Sequence, residues 1–383
     1  MAALPCTSGA ATVERIDPAD LPVSLAIEWD ELADAAAEPN SFAERWFVEA
    51  GVRHLPRPKS LTAFAVRLTG DRLDAIFLLH KDGRYGRWPL AAWQNWLHHH
   101  QFLGLPLIRK DMETDAWQAL FKHLDATPGA PPAYYFSEMP HGASATQALL
   151  SLKRKPVIVH TYSRALMKWG RTPEGYWEAA VRKKKRKEIG RLEKRLDDIG
   201  PVRCERSTGA DDISEWIDAF LALEASGWKG ERGSALARGG ATQAFFRDAL
   251  AEALARGRAE MLRLKVADQT IAMLVNFLAP PGAFSFKIAY DEAFARYSPG
   301  VLIEKANLTK LNDPAFAWMD SCAVENHPMI NSLWMERRDM VRVALARRGW
   351  RARLAFGAAR SAEILWGNIK SLSSSGGADK QGE

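Results

Sequence analysis

The sequence predicts an α/β (α+β) chain in two parts, each a mixed sheet flanked by helices, and three observations carry that expectation. Its 383 residues exceed what one hydrophobic core usually organises. Its composition, 47% hydrophobic and 26% charged, is that of a folded globular protein. Its second half alternates short apolar runs with amphipathic ones in the order helix, helix, β-hairpin, strand, helix, strand. The expected boundaries are 1–160 and 161–345 for the two parts, 346–370 for a basic helical extension and 371–383 for a disordered tail.

In the first part, Leu61–Leu68 and Leu73–Leu79 are β-type runs joined by Thr69-Gly70-Asp71, a good hairpin turn. Ala116–Leu124 reads as a helix and Ala133–Glu138 as a strand after a proline-rich loop. Val157–His160 reads as a strand leading into the second part.

Thr172-Pro173 opens the next stretch, with Thr172 as N-cap and proline in the first turn. The helix is expected to run through the basic tract Arg182–Lys187 to Arg195 and to end near Gly200. Helices follow at Asp212–Ala225 and Thr242–Arg256, the second with Thr242 as cap. Ala259–Val266 and Thr270–Leu278 form a hairpin through Asp268-Gln269. Ala283–Tyr290 is a strand, Val301–Leu311 a helix and Trp318–Asp320 a short strand. Glu325–Trp334 reads as a loop turning into a helix, and Met335–Ile369, rich in arginine, alanine and aromatics, as helical.

Several function classes are disfavoured. No apolar run approaches the ~18–20 residues of a membrane-spanning helix, and Met1–Thr12 does not read as a secretion signal, so a cytoplasmic location with membrane association at most is expected. Cys6, Cys204 and Cys322 are odd in number and far apart, which argues against a disulfide framework. His98-His99-His100 cannot all point at one ion, so no metal is expected; Trp88, Trp93 and Trp96 around them pack the first part or line a groove between the parts. The formal charge of +6 favours anionic partners.

The densest chemical signal is the strand-to-helix passage from Phe284 to Val301. Ser298 as N-cap, with Pro299 and Gly300 at the helix start, leaves backbone N–H groups at the positive end of the helix dipole, a natural cradle for a pyrophosphate. A well-capped helix start is the plain reading of the same residues.

This stretch, with Leu223–Gly230, Ala267–Met273, Tyr290-Asp291 and Asp320–Ala323 in order, resembles the cellulose-biosynthesis-associated (CelD-type) branch of the GNAT superfamily of acyltransferases, which is related to the Fem aminoacyltransferases. The resemblance covers about residues 160–345 well and the first part weakly. It implies tandem GNAT-like domains and an N-acyltransferase that takes acyl-CoA (or acetyl-CoA) as co-substrate, with no cofactor resident in the protein. It also implies that Ser298, Pro299, Gly300 and Val301 hold the coenzyme, although the chain lacks the usual Gln/Arg-x-x-Gly-x-Gly/Ala pattern. An acyl-carrier protein or aminoacyl-tRNA therefore stays open as donor.

Acylating an amine needs a group to take its proton and donors for the oxyanion. The polar candidates are Glu224, Lys287, Tyr290, Asp320 and His327, with His327 titrating near neutrality and Asp320 placed to bind the amine or orient the imidazole. Trp228, Lys229, Asp291 and Arg337 are candidates for the acceptor side. Cys322 reads as a buried structural thiol rather than a nucleophile.

The acceptor is expected to be a primary amine, a lipid (sphingoid-type) amine being the finer guess, and the basic, aromatic C-terminus suits peripheral membrane contact. Nucleic acid is the less favoured partner, because Glu188, Glu193, Asp197 and Asp198 dilute the basic helix. The rivals are a Fem-like aminoacyl-tRNA-dependent transferase and a non-catalytic component of envelope polysaccharide synthesis. Oligomeric state is not legible.

Overall fold

The computed structural model describes residues 11–209, 212–226 and 239–375. Its strands are β1 (Thr12–Ile16), β2 (Thr62–Arg67), β3 (Ala75–Asp82), β4 (Ala92–Asn95), β5 (Leu107–Ile108), β6 (Ala133–Pro140), β7 (Val157–Lys168), β8 (Val202–Ser207), β9 (Ala259–Val266), β10 (Gln269–Ala279), β11 (Gly282–Tyr290), β12 (Trp318–Asp320) and β13 (Glu336–Ala346). The α-helices are α1 (Val23–Ala35), α2 (Arg45–His54), α3 (Glu113–Ala126), α4 (Ser144–Leu150), α5 (Pro173–Ala180), α6 (Lys183–Asp197), α7 (Ile213–Ser226), α8 (Gly240–Ala255), α9 (Pro299–Asn307) and α10 (Trp350–Ser375).

One mixed sheet runs through the whole molecule in the order β1-β2-β3-β4-β6-β13-β7-β12-β11-β10-β9-β8, with β5 beside β3. Read outward from the middle, its two wings repeat each other. In the first wing three antiparallel pairs lead to the parallel pair β4/β6 and then to β13, antiparallel to β6. In the second, three antiparallel pairs lead to the parallel pair β11/β12 and then to β7, antiparallel to β12. Among the described residues two α-helices follow the first strand of each wing, α1 and α2 in one and α7 and α8 in the other. The duplication lies in topology, where no sequence repeat is visible.

The wings exchange their last strands. β7 follows the first wing in the chain but completes the second, and β13 ends the second wing but completes the first. The two exchanged strands pair with each other from Glu336↔Leu166 to Ala344↔Val157, which makes the sheet continuous. The boundary at 160/161 therefore falls inside β7.

Burial patterns explain the elements. β10 is apolar on both faces: Met273, Val275 and Phe277 join the core beneath α7 and α8, while Ala272, Leu274 and Leu278 join the one beneath α6 and α9. α6 buries Ile189, Leu192 and Leu196 as one stripe and leaves most of its lysines outside. Trp93 and Trp96 are buried in the first wing, as packing residues.

Four expectations need correction. The largest concerns Glu336–Ala346, expected as helix: it is the central strand β13, burying Met340, Val341, Val343 and Leu345 around a bulge at Arg342. Its arginine and alanine content suits a helix, but ladders on both sides override that preference. The helix after Thr172, correctly capped by the Thr172 hydroxyl (3.1 Å from Gly175 N), breaks at Val181. Val181 is buried, and Arg186 Nη1 donates to the Glu178 and Val181 carbonyls at 2.7 Å, closing the end of α5. Thr242 lies inside α8, donating back to Gly239 O at 2.8 Å. The tail is helical as far as Ser375.

Where β4 and β6 stop pairing, after Gln94 and Tyr135, the first wing opens and its own chain fills the opening. Gly104 N donates to Glu138 O at 2.8 Å, and Asn95 Nδ2 bridges the carbonyls of Gly104 and Ser137 at 3.0 Å each. A Cβ on Gly104 would lie 2.1 Å from Ser137 O, so only glycine fits. Gly104→Ala is expected to destabilise the protein by about 3 kcal/mol, because the obstacles are the Ser137 backbone and the Asn95 amide that is bonded to it; denaturant unfolding measures it, and an unchanged midpoint would show that this segment is loosely held.

Candidate functional site

The second wing opens at the equivalent place. β11 and β12 pair only over Gly282–Phe284 and Trp318–Asp320. β11 continues to Tyr290, while beyond Asp320 the other chain turns off at Cys322, which sits in the left-handed region at φ 54°. Among the described strands none pairs with Ser285–Tyr290 on that side. Half-buried Ile288, Tyr290, Ala323 and Met329 pack against the core there.

At the far end of β11 a short 3₁₀ turn, Glu292–Tyr297, leads into α9. Asp291 is spent on this turn, accepting Ala293 N at 2.9 Å and Gln269 Nε2 at 3.0 Å. Ser298 occupies the N-cap position as expected, but in the left-handed conformation (φ 55°, ψ 51°) and without a side-chain capping bond. Its carbonyl, rather than its hydroxyl, takes Val301 N (2.9 Å) and Leu302 N (3.1 Å). Ser298 is half-exposed, while Pro299, Gly300 and Val301 are buried. A Cβ on Gly300 would meet Met329 Sδ at 3.2 Å and Ile288 and Tyr290 at 3.8 Å. The corner thus meets solvent at Ser298, and a methionine thioether covers its glycine.

That methionine belongs to the loop between β12 and β13. Arg337 holds the loop by donating to the carbonyls of Asn331 (3.2 Å), Trp334 (2.8 Å) and Glu336 (2.8 Å). Lys185 of α6 donates to Ser332 Oγ at its other flank. His327 is half-exposed two residues before Met329, its Nδ1 3.4 Å from Ile330 N.

Asp320 is fully buried with both oxygens engaged. Arg164 of β7 approaches through Nε (2.7 Å) and Nη2 (2.8 Å), Arg338 of β13 through Nη1 (3.0 Å), and Cys322 N donates at 2.9 Å. Burial alone would raise its pKa, but the two guanidiniums outweigh that and hold the carboxyl below the usual carboxylate range. The neighbouring Cys322 thiol is pushed well up, chiefly by burial and then by the Asp320 charge, so it is a poor nucleophile. Arg164 also donates to Phe102 O at 2.7 Å, joining this cluster to the first wing.

Lys287 is half-buried over the Phe286 ring, 5.4 Å from its centroid, and its charge is felt at Cys322 and at His100. Tyr290 is half-buried, its hydroxyl pKa raised by burial and by Glu292. Glu224 is buried on α7. Trp228 and Lys229 lie outside the described residues. Lys287, Asp320 and Cys322 gather on one side of the opening, and Tyr290, Ser298–Val301 and the His327 loop on the other. His98 and His100 stack on Phe47 (5.3 Å) and Phe245 (5.4 Å), and burial lowers both to about 3.

The Arg337-Arg338 pair reads in the sequence as able to hold a phosphate or a carboxylate, and Arg338 holds Asp320; sequence reasoning missed Arg164, whose partner stands 156 residues away, and Met329, whose role depends on a loop fold. It also missed Glu304, one turn after Gly300 on α9. Glu304 is buried, takes the Ser285 hydroxyl at a long 3.4 Å, and has no hydrogen-bond partner at Oε2. Burial pushes its pKa up to about 7.

Comparison with known proteins agrees with this architecture. A family model described as an acetyltransferase (GNAT) domain matches residues 183–320. FemX matches 86% of this chain with 97% of its own at 11% identity (TM-score 0.54). L-PGS from Bacillus licheniformis matches 85% with 94% of its own at 8% identity (TM-score 0.52). A conserved protein of unknown function from Bacteroides thetaiotaomicron matches 84% with 97% of its own at 12% identity (TM-score 0.52). At such identities these likenesses establish the fold. No curated protein matches the sequence.

Glu304 makes a checkable electrostatic prediction. An acid whose folded pKa is raised to about 7 binds its proton more tightly in the folded state than in the unfolded one, where 4.5 applies, so stability is lost as pH rises from about 4.5 to 7. Glu304→Gln is expected to remove that slope and to stabilise the protein at pH 8 by up to roughly 3 kcal/mol. Urea unfolding at pH 5 and pH 8 measures both; parallel pH profiles for wild type and variant would rule the effect out.

Proposed function

We propose that this chain, whose residues 183–320 match the model of a GNAT acetyltransferase domain, transfers an acyl group from acyl-CoA to a primary amine at the opening between β11 and β12. One observation carries the choice of wing: the equivalent opening in the first wing is filled by the chain around Gly104, whereas no described strand occupies the second. A pantetheine arm is an extended polar chain that the unpaired edge of β11 suits.

In this reading the pyrophosphate sits at Ser298–Val301, at the positive dipole end of α9, and Met329 moves aside to admit it. The amine attacks the thioester carbonyl directly. The new C–N bond forms as the C–S bond breaks, the coenzyme leaves as thiolate, and the amine proton passes through His327 or water. Tyr290, against Gly300, is placed to protonate the leaving sulfur. Lys287 lies on the side where an oxyanion develops. Asp320, clasped by two arginines, is a positioning residue that fixes the turn at Cys322. Glu224, Asp291 and Arg337 shape the surroundings, and Trp228 and Lys229 belong to the acceptor side.

The finer form of the proposal takes a lipid (sphingoid-type) amine as acceptor, with the protein working in peripheral contact with a membrane. The rival donor is an aminoacyl-tRNA. Its phosphates would find the exposed lysines of α6, and the fold shared with FemX keeps it in play.

The purified protein is expected to be stabilised against thermal unfolding by one of acetyl-CoA or palmitoyl-CoA and to release free thiol when a primary amine is added. Ser298→Asp is expected to weaken that binding at least tenfold without loss of fold, since aspartate tolerates the left-handed conformation and suits a helix start, yet repels phosphate. If this variant binds as wild type does, the coenzyme lies elsewhere. If no thioester binds and charged tRNA does, the tRNA reading replaces this one.

A further inference from the structure

Five large apolar side chains stand exposed on α10: Trp350 (68%), Leu354 (65%), Ile364 (51%), Leu365 (63%) and Trp366 (48%). At about 100° per residue, Trp350, Leu354, Gly357, Ser361, Ile364 and Leu365 share one stripe about 100° wide. Exposed Arg353 borders it on one side and exposed Arg351 on the other. The opposite face is the docked one: Phe356 lies edge-on to Tyr85 with ring centroids 5.6 Å apart, and a Cβ on Gly86 would lie 3.3 Å from Glu363 Oε1. From Arg347 to Trp366 that glutamate is the sole acid, against five arginines, and it points away from the stripe.

We propose that this face of α10 docks the protein on an anionic bilayer surface. An apolar stripe bordered by cations, with a tryptophan at its start, matches the two layers such a surface presents, acyl chains below and anionic headgroups beside them. The charge pattern selects this occupant: the arginines want negative partners on both borders. The inference deepens the peripheral membrane contact proposed above; its observations come from α10, and its failure would leave the acyl donor and the opening between β11 and β12 untouched.

Flotation of the full-length protein with vesicles tests it. Binding is expected to vesicles of phosphatidylcholine containing about one quarter phosphatidylglycerol, to be weak on phosphatidylcholine alone, and to fall as salt rises. The double variant Leu354→Glu, Leu365→Glu is expected to lower binding at least about tenfold while leaving the thermal midpoint unchanged, because both side chains are exposed. Absence of flotation with anionic vesicles, or equal flotation of the variant, overturns the proposal. So does a variant that converts a dimer to a monomer in light scattering, since the stripe would then face a second copy.

Discussion

The carboxylate of Asp320 is the point on which this architecture closes. It sits at the end of β12 with no access to water, and its two arginines come from β7 and β13, the strands that the wings exchange. Arg164 carries the connection onward to Phe102 in the first wing, so one ion cluster ties three strands and both wings together. Buried charges are costly to desolvate, and removing one partner from such a group costs about 3–5 kcal/mol. The cluster is therefore better evidence of a unique register than of great stability. A strand slipped by one residue turns its side chains to the opposite face and would strand three charges.

A matching but weaker contact stands in the other wing, where Arg342 of β13 meets Glu138 of β6 at 3.3 Å. The likeness ends at the openings. The first wing spends its gap on self-closure, with Asn95 satisfying the carbonyls that a ligand would otherwise meet. Among the described residues the second holds no such inserted segment and keeps half-buried apolar groups instead.

Much of the second wing was legible because its strands are short, apolar and separated by turn residues; the β9–β10 hairpin and the passage from β11 into α9 stand in the sequence almost as they fold. The Pro299-Gly300 helix start was equally plain. Other features were not, and for specific reasons. β13 is rich in arginine because Arg338 answers Asp320 across β7, Arg342 answers Glu138 on β6 and Arg337 answers loop carbonyls, reasons invisible along the chain. Asp320 reads as an available acid until Arg164, 156 residues away, is placed beside it. Gly104 looks like any loop glycine until the backbone of Ser137 is brought against it. α1, α2 and β8 went unread because their apolar residues are interrupted by acids and arginines that find partners only in the folded protein, such as Arg45 with Asp30.

The exchange of β7 and β13 also sets an order of events during synthesis. The first wing has all its strands but one by Pro140, yet the edge of β6 stays bare until Ala346 has been made, about 200 residues later. At roughly 5–20 residues per second, the nascent chain holds an open sheet edge on the ribosome for about 10–40 seconds. A bare edge of that kind invites pairing between neighbouring chains on one message. Slow translation or a stop codon before β13 therefore turns the same strand exchange that unites the finished molecule into a route to co-translational aggregation.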